Sequence, residues 1–201
     1  MGNADDSMAD DVERLIHGYT VRKASASSAW KLGVVMDLER LRDDRVMAFL
    51  LAVLEDHREP TDVRIHVLNR IRHGGLAPDD RARAAEAIMR LSMHDSTPEV
   101  RMRAVVALGD FADVAEVVGV LGRIALDQAE ALDLRYGAYT SVEQCGPTPE
   151  SIALLRRLLD DETLGRTARS ALVAWCVPEV YLGELGIGDV ATQPEATTDD
   201  D

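Results

Sequence analysis

The sequence predicts an all-α fold in which about five helix pairs stack side by side. Three observations carry this. Apolar residues make up 46% of the 201-residue chain but aromatic ones only 4%, so the core is built from Ala, Val, Leu and Ile. That composition suits close-packed helices better than a sheet sandwich. Apolar residues recur at the 3, 4, 7, 8 spacing of one helix face, as in Val100, Ala104, Ala107 and Leu108. That face then returns along the chain. Trp30, Val63, Val100, Leu134 and Leu164 form a first column, at intervals of 33, 37, 34 and 30 residues. A single helix pair cannot cover its own apolar face, so the pairs must stack into a curved one-dimensional array.

The elements follow in order. An N-terminal arm, residues 1–7, leads into a short amphipathic run, Asp11–Tyr19. A polar link, Thr20–Ser28, separates it from an inner helix carrying Trp30, Val34 and Leu38. The second pair is Arg45–Glu55, with Asp43 and Asp44 as N-terminal caps, and a helix through Val63, Val67 and Ile71. In the third, Asp80–Met93 opens beside Asp79 and Asp80, also read as N-terminal caps, and the inner helix begins at Pro98, whose missing N–H costs nothing in a first turn. Gly109 is expected to end that helix, with Val114–Leu126 following at once as the outer helix of the fourth pair. Leu134, Ala138 and Val142 mark its inner helix, and Ser151–Leu159 with Leu164, Ala168 and Leu172 make the fifth pair. The repeat domain thus covers 8–176. In 177–201, the apolar stretch Val180–Ile187 is read as closing the last repeat, and Gln193–Asp201 as a disordered acidic tail.

A fourth column is basic. Lys31, Arg64, Arg101 and Arg135 directly follow the first apolar column, and Gly165 breaks the pattern. With the acids that end the outer helices (Asp56, Asp95, Asp127, Asp160), this predicts a ladder of partly buried ion pairs and bonds to turn carbonyls. Such a ladder fixes register between repeats more than it adds stability.

The stretch Asp95-x-x-Pro98-x-Val100-Arg101-x-x-Ala104-x-x-Ala107-Leu108-Gly109-Asp110 resembles the HEAT repeat. It is most similar to the short variety in bacterial and archaeal proteins that resemble phycobilisome lyase subunits. The likeness is strong over 97–126 and weaker over 44–72, 130–143 and 149–174. It implies a right-handed α-α superhelix with outer and inner helix layers. It also implies one function to weigh, a chromophore-lyase-like accessory protein, which co-purified visible absorbance would favour.

Charge narrows the function classes. The net charge of −14 has the wrong sign for a general nucleic-acid binder or an anionic membrane surface. This also argues against a DNA-repair role like that of the HEAT-like alkylpurine glycosylases, which needs a basic groove. Residues 177–201 hold −7 of the −14, so the repeats are only mildly acidic and a regulatory subunit acting through its tail is a second alternative. The apolar run through Met47–Leu54 is well short of the ~20 residues a membrane span needs, and no basic n-region precedes an apolar stretch at the N-terminus. A cytoplasmic protein is expected. No Walker A loop, G-x-G-x-x-G, G-x-S-x-G or H-E-x-x-H is present, so no catalytic, cofactor or metal residues are assigned. His66 and His73 lie two turns apart, too far for comfortable joint ligation, and Cys145 and Cys176 are read as small core residues.

The remaining signal lies opposite the core columns. Leu32, Ile65, Met102 and Tyr136 stand two residues after the first column, with Met36 four further on in the first repeat. On a helical wheel they face away from the core stripe. They form an apolar ridge flanked by Arg72 and Glu143, and by Glu39 in the first repeat. The expected function is therefore non-enzymatic: a scaffold or adaptor that binds a protein or peptide partner on this concave inner surface. The rival reading packs the same side chains between repeats.

Overall fold

A computed structural model describes residues 3–41 and 43–177. The helices form where the apolar spacing places them: α1 (Asn3–Arg22), α2 (Ser28–Leu38), α3 (Asp44–Glu55), α4 (Thr61–His73), α5 (Pro78–His94), α6 (Pro98–Leu108), α7 (Val117–Leu126), α8 (Leu132–Cys145), α9 (Pro149–Arg157) and α10 (Gly165–Ala174). No strand occurs among the described residues. Local chemistry sets the starts. Ser27 caps α2, accepting from the Trp30 amide, Asp43 caps α3 through the Arg45 amide, and Thr148 caps α9 through the Ser151 amide. At α5 the cap position is Ala77 without a side-chain bond, so Asp79 and Asp80 act only as first-turn charges facing the helix dipole.

The chain divides into two compact units, Met1–Gly146 and Pro147–Asp201. In the first, each odd-numbered helix packs on the even-numbered helix that follows it. The inner helices run α2–α4–α6–α8 in lateral contact, and α1–α3–α5–α7 make the outer layer. The core lies between the layers. Val63, Val67, Val100, Ala104, Leu108, Ala138 and Val142 are fully buried, as the columns require. In the second unit α9 packs on α10, and Leu155, Leu158, Leu164, Ala168 and Leu172 are fully buried between them.

Four expectations need correction. α1 begins at Asn3 and runs to Arg22, so helix occupies most of the expected arm and shortens the polar link to a turn. Trp30 is only half-buried: its ring stacks on buried Tyr19 at a centroid distance of 6.0 Å, and Phe49 closes on Tyr19 edge-on at 5.1 Å. α6 ends at Leu108 with Gly109 as its C-cap, as expected, but the next helix does not follow at once: a 3₁₀ turn, Gly109–Phe111, comes first. A Cβ on buried Gly109 would sit 2.8 Å from Gln144 Oε1 and 3.4 Å from the Ser141 backbone. α7 then starts three residues late, at Val117. Arg81 holds the intervening turn by donating to Asp113 at 2.8 Å, with its guanidinium 4.6 Å above the Phe111 ring. Finally, Cys145 is half-buried and Cys176 exposed, so the second is not a core residue. Residues 178–201, with the expected closing stretch and tail, lie outside the described residues.

Candidate functional site

The basic column forms a ladder along the start of the inner helices. Buried Lys31 donates to Glu59 at 2.6 Å. Arg64, 1% exposed, donates from Nε to the Leu54 carbonyl at 2.8 Å and pairs with Asp95 of the next repeat. Arg101 repeats this, donating to the Ser92 carbonyl at 2.8 Å and to Glu130 at 2.9 Å, and Arg135 donates to the Ala125 carbonyl at 2.9 Å. Each cation is therefore anchored in its own pair or reaches forward to the next. The acids differ from those expected. Asp56 and Asp127 accept from the amides of Arg58 and Ala129 within their own turns, and the rungs use Glu59 and Glu130 instead. Asp95 serves both roles, because its turn is two residues shorter and brings the capping acid to the rung position. Burial raises the Asp95 carboxyl, but the Arg64 guanidinium and the Thr97 amide outweigh it and hold it below the usual carboxylate range.

A second rail, which the column arithmetic did not find, links the other ends of the inner helices. Glu39 meets His66 at 3.1 Å and Arg70 at 3.8 Å, Arg72 pairs with Asp110, and Gln144 donates to Asp110 at 2.7 Å. Its sequence signal was opposite charges near the ends of successive inner helices, which has no fixed spacing to search for.

Between the two rails lies the ridge. Met36 and Tyr136 are 45% and 39% exposed, and the only other exposed large apolar side chains among the described residues are Val21 and Leu132. Leu32, Ile65 and Met102 are half-buried. Met102 leans over the next inner helix, where a Cβ on Gly137 would meet its sulfur at 3.1 Å. The ridge is thus neither sealed between repeats nor fully free. Its expected flanking charges fare differently. Arg72 is committed to Asp110, whereas Glu143 is exposed beside Tyr139, whose hydroxyl is pushed up to about 12 by burial first and the Glu143 carboxylate second. Of the ridge and its expected flanking charges, Glu39 alone lines the 740 Å³ cleft at the repeat edge, which is also bounded by Asp43, Asp44, Ile71, Leu76 and Asp80. His66 is spent on Glu39 and His73 is exposed. No three His, Cys, Asp or Glu side chains converge as a metal site among the described residues.

Stacked helix pairs with small residues at the contact column and a cation–acid ladder are the features a repeat family would share, and the family comparison finds one. Residues 84–174 match the pattern of HEAT repeats. This stretch is built of HEAT repeats. The matched stretch starts inside α5 and ends with α10, so it takes in the third, fourth and fifth pairs. The match is to HEAT repeats in general and adds nothing to the narrower likeness with phycobilisome-lyase-like repeats. No curated protein matches the chain. Among the described residues, no helix is long and apolar enough to cross a membrane.

Proposed function

We propose that the chain is a non-enzymatic protein–protein interaction scaffold that holds a partner protein or peptide on the inner-helix face. HEAT repeats commonly mediate protein–protein interaction, and one observation supports this face in particular. Two of the four exposed large apolar side chains among the described residues, Met36 and Tyr136, stand on it, with Leu32, Ile65 and Met102 half-exposed between them. Exposed apolar side chains in one row mark contact surfaces. Met adapts its shape to a partner, and Tyr presents a flat apolar body with a polar tip. The two rails hold α2, α4, α6 and α8 in register, so the row exists before the partner arrives and less ordering entropy is lost on binding. The setting is cytoplasmic, and with a net charge of −14 the partner is neither nucleic acid nor an anionic membrane.

The test is a double substitution read on native partner capture and circular dichroism. Met102→Glu with Tyr136→Glu is expected to abolish capture. Because Met102 is packed over Gly137, Met36→Glu with Tyr136→Glu is the gentler pair, placing both charges at exposed positions. Its helical content should match wild type while capture is lost. A folded Met36→Glu, Tyr136→Glu protein that still captures every native partner would reject this face.

A further inference from the structure

We infer that the partner segment held on this face carries a carboxylate that meets Arg103, set among apolar side chains that cover Ile65, Met102 and Tyr136. The inference rests on the interaction reading above and adds the partner's chemistry. On α2, α4, α6 and α8 the other lysines and arginines already have partners: Lys31 with Glu59, Arg64 with Asp95, Arg70 with Glu39, Arg72 with Asp110, Arg101 with Glu130, and Arg135 with the Ala125 carbonyl. Arg103 is exposed and has no ion pair among the described residues. It lies in the middle of α6, away from the C-terminal turn where a cation would serve the helix dipole.

Its surroundings explain why a free cation there selects a partner. Arg103 directly follows Met102 and precedes half-buried Val106 by three residues, one turn along the helix. The corresponding position is His66 on α4, held by Glu39, and Gly137 on α8, covered by Met102. Among the described residues of α2, α4, α6 and α8, Arg103 is therefore the one uncommitted cation beside the ridge. Its stem extends the apolar surface, and its planar fork is suited to take a carboxylate through two parallel bonds. Arginine among apolar neighbours is a composition that concentrates binding energy at interface centres. On a chain of net charge −14, a carboxylate is repelled almost everywhere else, so this contact fixes the partner's register.

The probes are two synthetic helical peptides of Leu, Ala and Gln, one with a central Glu and one with Lys in its place. About 15 residues span ~22 Å as a helix, enough to cross three inner helices spaced roughly 8–10 Å apart. Titrated against the full chain, the Glu peptide is expected to bind about tenfold tighter than the Lys peptide, the effect of one charge-assisted contact. Arg103→Gln should erase the difference and Arg103→Glu should invert it, with circular dichroism unchanged. Equal binding of both peptides to wild type, or an order that Arg103→Glu leaves intact, overturns the inference; so does a failure of both peptides to bind. Two of these outcomes separate it from the interaction reading. If both peptides bind equally and both are lost in Met36→Glu, Tyr136→Glu, the ridge stands and only the carboxylate falls. If that double variant binds both peptides as well as wild type does, the ridge itself falls.

Discussion

Gly165 shows how one residue departs from a repeat for a local reason. It occupies the column that holds Lys31, Arg64, Arg101 and Arg135, yet a Cβ there would lie 2.5 Å from the Leu159 carbonyl oxygen and 3.2 Å from that of Leu158. In the last turn Asp161 accepts from the Thr163 and Leu164 amides, both at 3.0 Å, and α10 starts at Gly165 against the Leu158 and Leu159 carbonyls. No side chain fits, so no cation can stand there. Gly165→Ala should destabilise by about 1–3 kcal/mol through overpacking against rigid backbone. Exposed Gly119 of α7, with nothing within 4 Å of a Cβ, is the control. Gly119→Ala should be neutral or stabilising by up to ~1 kcal/mol, and equal losses at both sites would remove the contact argument. A second residue-scale prediction concerns Asp95. Its folded carboxyl titrates below the ~3.9 of an unfolded aspartate, so its contribution is complete above that value and is lost as pH falls through the folded one. Asp95→Ala leaves Arg64 buried without its counter-charge and should cost ~3–5 kcal/mol at pH 7. The gap from wild type, followed by denaturant melts, should hold from pH 7 to about 5 and narrow below about 4. A gap independent of pH would mean that the rung is not an ion pair.

At the scale of the element, the small column decides how closely inner helices approach. Ala104, Ala138 and Ala168 are fully buried, and Ala104 sits in α6 between α4 and α8. Ala104→Leu adds three heavy atoms where none fit, so a loss of about 1–3 kcal/mol is expected. In an array coupled by nearest neighbours, a fault in a central helix should also broaden the melting transition. A single sharp transition at the wild-type temperature would contradict both effects. The helices themselves were legible because a buried stripe must repeat with the helix period; all five inner helices stand where their columns placed them. The ends were less legible. Pro98 and Asp43 announced starts correctly and Gly109 the end of α6, but the 3₁₀ turn that follows Leu108, packed against α8 through Gly109, was not announced. Sequence shows that a glycine is present, and only the neighbouring α8 shows why.

For the whole molecule, the proposed use depends on several repeats presenting one surface. Deleting 193–201 should leave the melting temperature nearly unchanged, because that stretch has no apolar periodicity to offset the entropy of ordering. Deleting from Pro178 should lower it, because Val180, Leu182, Leu185 and Ile187 are apolar enough to shield a terminal repeat. Equal, large losses from both truncations would contradict this division. The sequence by itself determined the fold class, the five pairs, the inner layer and the basic column, since each is a periodic demand that burial places on residue types. Tertiary structure alone decided which acids the column meets: Glu59 and Glu130 rather than Asp56 and Asp127, because turn length sets which carboxylate reaches the next repeat. It also decided that Arg72 is spent on Asp110 and Arg103 is not. Charges on successive inner helices pair or stay free according to where neighbouring helices bring them, and that distance is not written along the chain.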